Sequence, residues 1–117
     1  MPQEMNGAEI MVRSLEDLGV SRVFGYTGAT ILPVYHALGR SSIAINVNAN
    51  EQSAAFSAAG YSRSSDKVGV AIVTSGPAIT NTLTAVADSN ADSIPLLVFA
   101  GQVLQSRMDT DEFQHIN

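Results

Sequence analysis

A chain of 117 residues, 45% of them hydrophobic, is long enough to bury one core and too short to hold two ligand-binding lobes, so any chemistry that needs a second domain must borrow it. A net charge of -5, with six Lys and Arg residues that never cluster, provides no footprint for a phosphate backbone, and nucleic acid is not expected as a partner. The lack of cysteine excludes disulfides, thiol nucleophiles and thiolate metal sites, and His36 and His115 are too widely separated for a zinc pattern, so no metal ligands are assigned.

At the amino terminus, Glu4 and the absence of a basic region before an apolar run argue against a signal peptide, and the longest apolar stretch, residues 94–100, falls far short of a membrane span. The chain reads as soluble and cytoplasmic. Over residues 6–18 the apolar side chains Ile10, Met11, Leu15 and Leu18 recur at helical spacing while Arg13, Glu16 and Asp17 face away. Asn6 with Glu9 three positions on is a capping-box signature, and Gly19 is placed to end that helix. Residues 20–26 read as a strand closed by Thr27-Gly28, and residues 31–38 as a second helix with Pro33 near its start and Gly39 at its exit.

Ile43, Ile45 and Val47 alternate as in a half-buried strand, and Asn50 is a good N-cap for a helix over residues 51–63. Ala54, Ala55, Ala58 and Ala59 give that helix a narrow surface on which another backbone can lie closely. Residues 68–74 form a near-continuous apolar run, as in a strand covered on both faces, and Ser75-Gly76-Pro77 turns it into a helix expected to run to about Ser89. Residues 94–100 repeat the buried-strand pattern. Strands alternating with helices of this length predict right-handed βαβ units and a largely parallel sheet in a three-layer α/β/α fold, within a single domain spanning residues 1–117.

Ligands of open parallel sheets bind outside the carboxyl ends of the strands. Four segments fall there: Thr27-Gly28 after the first strand, Glu51 after the second, Thr74 to Pro77 after the third, and Gly101-Gln102 after the fourth. Glu51 is the one candidate acid among them. Taken alone, a carboxylate in a first helical turn serves the helix dipole and stays solvated.

Its neighbours point further. Asn48-Ala49-Asn50-Glu51-Gln52-Ser53-Ala54-Ala55, Val23-Phe24-Gly25-Tyr26-Thr27-Gly28-Ala29, Val73-Thr74-Ser75-Gly76-Pro77-Ala78-Ile79-Thr80-Asn81, the segment from Pro95 to Val103, and Asp111-Glu112-Phe113-Gln114 together resemble the pyrimidine-binding (PYR) domain of thiamine-diphosphate enzymes, most closely that of acetolactate synthase catalytic subunits. The resemblance runs from about Gly7 onward and implies thiamine diphosphate as cofactor. It makes Glu51 the catalytic carboxylate, which hydrogen-bonds the pyrimidine N1′ and favours the tautomer that removes the thiazolium C2 proton. That role implies a carboxylate shielded from water. Thr74, Gly76, Pro77 and Asn81, with Glu51, would line the pyrimidine; Thr27, Gly28, Ala29 and Gln114 would border the substrate.

The resemblance also implies Mg²⁺ held by a separate PP domain, whose Gly-Asp-Gly motif this chain lacks, and a last PYR helix and strand lying beyond Asn117. A homodimer, activity only with a PP domain, and condensation of 2-oxo acids after decarboxylation follow as expectations. The chain departs from the family's usual residues at Thr27 (Pro), Ala29 (Gly), Asn50 (often His), Ala78 (Gly) and Leu104 (Pro). Two alternatives stay open on the sequence: the PYR part of a 2-oxo acid decarboxylase, and a stand-alone, non-catalytic PYR-fold module for self-association or partner binding.

Overall fold

The computed structural model describes residues 4–116. In chain order the elements are α1 (Gly7–Asp17), β1 (Arg22–Gly25), a 3-10 turn (Ala29–Ile31), α2 (Leu32–Gly39), β2 (Ala44–Val47), α3 (Glu51–Ser65), β3 (Gly69–Val73), α4 (Pro77–Thr80), α5 (Leu83–Ala91), β4 (Leu96–Ala100) and a second 3-10 turn (Gln105–Arg107). The strands form one sheet in the order β2-β1-β3-β4, with every pairing parallel. This is the α/β fold expected.

The local signals act as the sequence predicts. Asn6 Oδ1 accepts the Glu9 N–H at 2.9 Å while Asn6 N–H donates to Glu9 Oε2 at 3.0 Å, so two amides that the first helical turn leaves unpaired are satisfied reciprocally. Gly19, at φ +81°, carries the chain out of α1 through a left-handed conformation that glycine adopts without Cβ strain. Asn50 caps α3 by accepting the Ser53 N–H at 2.8 Å.

Strand alternation sends neighbouring side chains to opposite faces, and this divides the core in two. Val23, Val70 and Ile72 meet Val12 and Leu15 of α1 and Val34, Ala37 and Leu38 of α2. Phe24 and Ala71 meet Ala54, Ala55 and Ala58 of α3 and Ala85 of α5. The alanine stripe lets α3 lie almost on the sheet. Helix α2 follows β1 on one face and α3 returns over the other, so the winding reverses between β1 and β3. Such a reversal opens a crevice at the carboxyl ends of those two strands.

Three expectations need correction. The helix predicted over residues 77–89 is two helices, because the chain breaks at Asn81 and Thr82. Thr82 turns its hydroxyl back onto the Ile79 carbonyl at 2.6 Å, and its amide bonds the same carbonyl at 3.0 Å, which tightens the backbone out of α geometry. β4 is not covered on both faces: it is an edge strand, and Leu97 is 40% exposed. β2, the other edge, does not follow the alternating pattern: Ile43, just before the strand, is buried, Ile45 is half-buried and Val47 is 63% exposed.

Candidate functional site

All four loops singled out by sequence lie at the carboxyl edge of the sheet, since β1 to β4 run parallel and each loop follows its strand. The loops after β1 and β3 are neighbours across the crevice. A Cβ added at Gly28 would stand 2.4 Å from the Thr74 methyl carbon, so only glycine lets the first loop pass this close. Thr30, in the 3-10 turn that follows, shares a 2.8 Å hydroxyl–hydroxyl hydrogen bond with Thr74. The loop after β4 joins from the side: a Cβ at Gly101 would fall 2.5 Å from Thr30 Oγ1.

Thr74, Ser75 and Gly76 are buried, whereas Pro77 opens onto solvent at the start of α4. Gly76 has φ +65° and would press an added Cβ to 2.2 Å from the Gln114 carbonyl oxygen. The segment around Gln114 therefore folds back onto the turn after β3, and Gln114 itself takes φ +60° to do so. Phe113 beside it is 82% exposed. Thr27 and Ala29 are exposed, and neither side chain enters a described hydrogen bond.

Glu51 begins α3, directly after the Asn50 cap. Its Oε2 accepts a hydrogen bond from Asn81 Nδ2 at 3.2 Å, across from the break between α4 and α5. No described hydrogen bond engages Glu51 Oε1. The carboxylate is half-buried rather than shielded, so the enclosure that the resemblance implies is not supplied by the described residues.

The arrangement therefore presents a carboxylate with one oxygen fixed by Asn81 and one uncommitted, beside a buried glycine turn on which the Gln114 backbone rests. No group of three His, Cys, Asp or Glu side chains is placed to hold a metal ion among the described residues. Of the proposed set, the structure brings together Glu51 with Asn81, Gly28 with Thr74, and Gly76 with Gln114.

Sequence reasoning missed two residues here. Thr30 has no signal in the sequence, because its role depends on which strand lies next to β1. Ser75 is fully buried and its hydroxyl has no hydrogen-bond partner in the structure. His36 is exposed on α2, while His115 lies half-buried in a loop. A cavity of about 490 Å³, lined by Leu15, Leu18, Val20, Tyr61, Val68 and Leu97 among others, sits at the opposite, amino edge of the sheet. It shares no residue with the carboxyl-edge set.

Comparison with known proteins agrees with the geometry. Residues 5–117 match the family model described as "Thiamine pyrophosphate enzyme, N-terminal TPP binding domain". The chain is 45% identical to the acetolactate synthase isozyme 2 large subunit of Escherichia coli over 97% of this chain and 21% of that protein. It is 46% identical to a probable acetolactate synthase large subunit of Methanococcus aeolicus over 97% of this chain and 19% of the relative. For the chloroplastic acetolactate synthase 1 of Zea mays the identity is 47%, over 92% of this chain and 17% of the relative. The chain thus spans between a sixth and about a fifth of these relatives' lengths.

Proposed function

The chain belongs to the thiamine pyrophosphate enzyme family, as an N-terminal TPP binding domain, and from that premise we propose that its carboxyl-edge crevice is the pyrimidine half of a site of the acetolactate synthase type. Thiamine diphosphate, when bound, supplies a thiazolium carbon able to act as a nucleophile toward 2-oxo acids. Glu51 then holds a proton at the pyrimidine N1′ nitrogen through Oε1, while Asn81 keeps the carboxylate in one rotamer through Oε2. Thr74, Gly76 and Pro77 seat the ring. Thr27, Gly28, Ala29 and Gln114 face the substrate side.

On this reading residues 1–117 act as one PYR-like domain. A PP domain, outside these residues, holds Mg²⁺ and the diphosphate, and activity awaits it. Water is excluded from Glu51 only when that partner surface closes over it. The assembly is a homodimer working in the cytoplasm. It fits the same reading that no helix among the described residues is long and apolar enough to cross a membrane.

The observation that carries the proposal is the Glu51 carboxylate, held by Asn81 at the carboxyl edge with its second oxygen uncommitted. In a complex reconstituted with a matching PP domain, Glu51→Gln keeps the shape and loses the proton-holding preference. Exchange of the cofactor C2 proton is expected to slow by at least ~100-fold, in line with general acid–base contributions. Stability is expected to change by only a few tenths of a kcal/mol, roughly a helix-terminus charge effect. Unchanged exchange with a sharp fall in stability would make Glu51 a structural cap.

A further inference from the structure

We propose that Thr30 is a positioning residue for this site, acting through Thr74; the inference rests on the reading that Thr74 faces the pyrimidine. Thr74 ends the buried strand β3 and is itself 6% exposed. Its hydroxyl makes a single described hydrogen bond, the 2.8 Å contact to Thr30 Oγ1. Thr30 in turn has no other described partner. Two hydroxyl hydrogens thus serve one hydrogen bond, and one hydrogen is left over. When Thr30 donates, the Thr74 hydrogen is released toward the crevice, where it can meet an acceptor on a bound ring. Without the Thr30 hydroxyl, Thr74 loses the bond that favours its χ1 rotamer, and its hydrogen loses that direction.

The surrounding backbone shows that the pair is built in rather than incidental. Gly28 brings the first loop so near that a Cβ would fall within 2.7 Å of three Thr74 side-chain atoms. Gly101 leaves room for the Thr30 hydroxyl itself, which an added Cβ would meet at 2.5 Å. Gly101 N–H also donates to the Val73 carbonyl at 3.0 Å, anchoring the β4 loop beside the residue that precedes Thr74. Three strand ends, β1, β3 and β4, therefore converge on one hydroxyl pair. Thr30 sets the spacing of the loops and the rotamer of Thr74 together.

The test uses the 117-residue chain. Thr30→Val keeps the branched shape and removes the hydroxyl; Thr30→Ser keeps the hydroxyl and removes the methyl group. Three-bond couplings from the Thr74 methyl carbon to its backbone nitrogen and carbonyl carbon report its χ1 by NMR. They are expected to average in Thr30→Val and to return to wild-type values in Thr30→Ser. Thr30→Ala, which removes bulk instead of retaining it, repeats the measurement should Thr30→Val not fold. In a titration with thiamine followed at the Thr74 and Gly76 amides, Thr30→Val is expected to weaken binding roughly fivefold, the scale of one hydrogen bond, with Thr30→Ser within about twofold. Wild-type couplings in Thr30→Val or Thr30→Ala, equal thiamine affinity in wild type and Thr30→Val, or a Thr30→Ser variant that behaves like Thr30→Val would each overturn the proposal. If wild type gives no response to thiamine, the Thr74 couplings alone decide the role of Thr30, and the pyrimidine reading stands or falls on the Glu51→Gln exchange measurement in the complex with a PP domain.

Discussion

Substituting alanine at two glycines of one helix–strand unit should move stability in opposite directions, and the size of the difference follows from the backbone. Gly69 opens β3 where α3 lies closest: a Cβ there would stand 2.0 Å from the Ala58 carbonyl oxygen and 2.6 Å from its carbon. A relaxed carbon–oxygen contact is about 3.3 Å or more, so helix or strand must give by roughly an ångström. Overpacking a core costs about 1–3 kcal/mol, and the upper end applies because a carbonyl in a helix cannot rotate aside. Alanine's lower chain entropy in the unfolded state returns about 0.5–1 kcal/mol, leaving Gly69→Ala destabilised by about 2 kcal/mol. Gly60, in the interior of α3, has nothing within 4 Å of an added Cβ. Gly60→Ala should therefore stabilise by about 0.8–1 kcal/mol, the helix-propensity difference. The gap of about 3 kcal/mol corresponds to roughly 12 °C in melting temperature for a domain of this size. Urea unfolding followed by circular dichroism, with linear extrapolation, measures both. Changes of the same sign, or Gly69→Ala within about 0.5 kcal/mol of wild type, would show that the close approach of α3 to β3 is misjudged.

The Tyr35 hydroxyl donates to the Ile72 carbonyl at 2.7 Å, and Tyr35→Phe is expected to cost about 1 kcal/mol by urea titration at neutral pH. Burial pushes the Tyr35 phenol up to about 12 from 10.0, so the fold favours the protonated form. That contribution is complete below pH 10 and is lost as pH rises toward about 12, a fall that Tyr35→Phe should lack. The Ser42 amide, and then its hydroxyl, hold the Glu16 carboxyl below its usual 4.5. The carboxylate form is favoured, stability from it is present above pH 4.5 and declines as pH falls through the lowered value, and Glu16→Gln should flatten that acid limb. Sedimentation of the chain is expected to give twice the monomer mass; a monomer throughout at high concentration would count against self-association through the exposed apolar surface.

What the sequence disclosed was whatever short-range chemistry decides. Asn6 with Glu9 and Asn50 began helices, and Gly19 ended one, where their side chains or missing side chain dictated, and the apolar run of β3 announced a strand covered on both faces. The carboxyl-edge location of Glu51 and Thr74 followed from βαβ alternation. Contacts between distant segments were not legible. Thr82 breaks a helix because its hydroxyl finds a backbone carbonyl, and threonine elsewhere in helices does not always do so. The exposure of β4 depends on what lies over it, and the hydrogen-bonding of Thr30 depends on strand order. Gln114 could be placed near the site only by the family resemblance, since the closeness of its backbone to Gly76 spans loops with no periodic pattern.

The uneven stitching of the sheet bears on how the domain opens. β1 is joined to β2 by four paired residues and β3 to β4 by five, but β1 meets β3 at only Phe24↔Ala71 and Gly25↔Ile72. Two well-knit βαβ wings therefore share a short seam, and the crevice is the carboxyl end of that seam. Packing makes good that shortage: Val23 with Val70 and Ile72 on one face, and Phe24 with Ala71 under α3 on the other, lock the wings across the seam. The least protected backbone is then at the outer strands β2 and β4, so local opening should begin at those edges and leave the crevice standing until the two cores themselves give way.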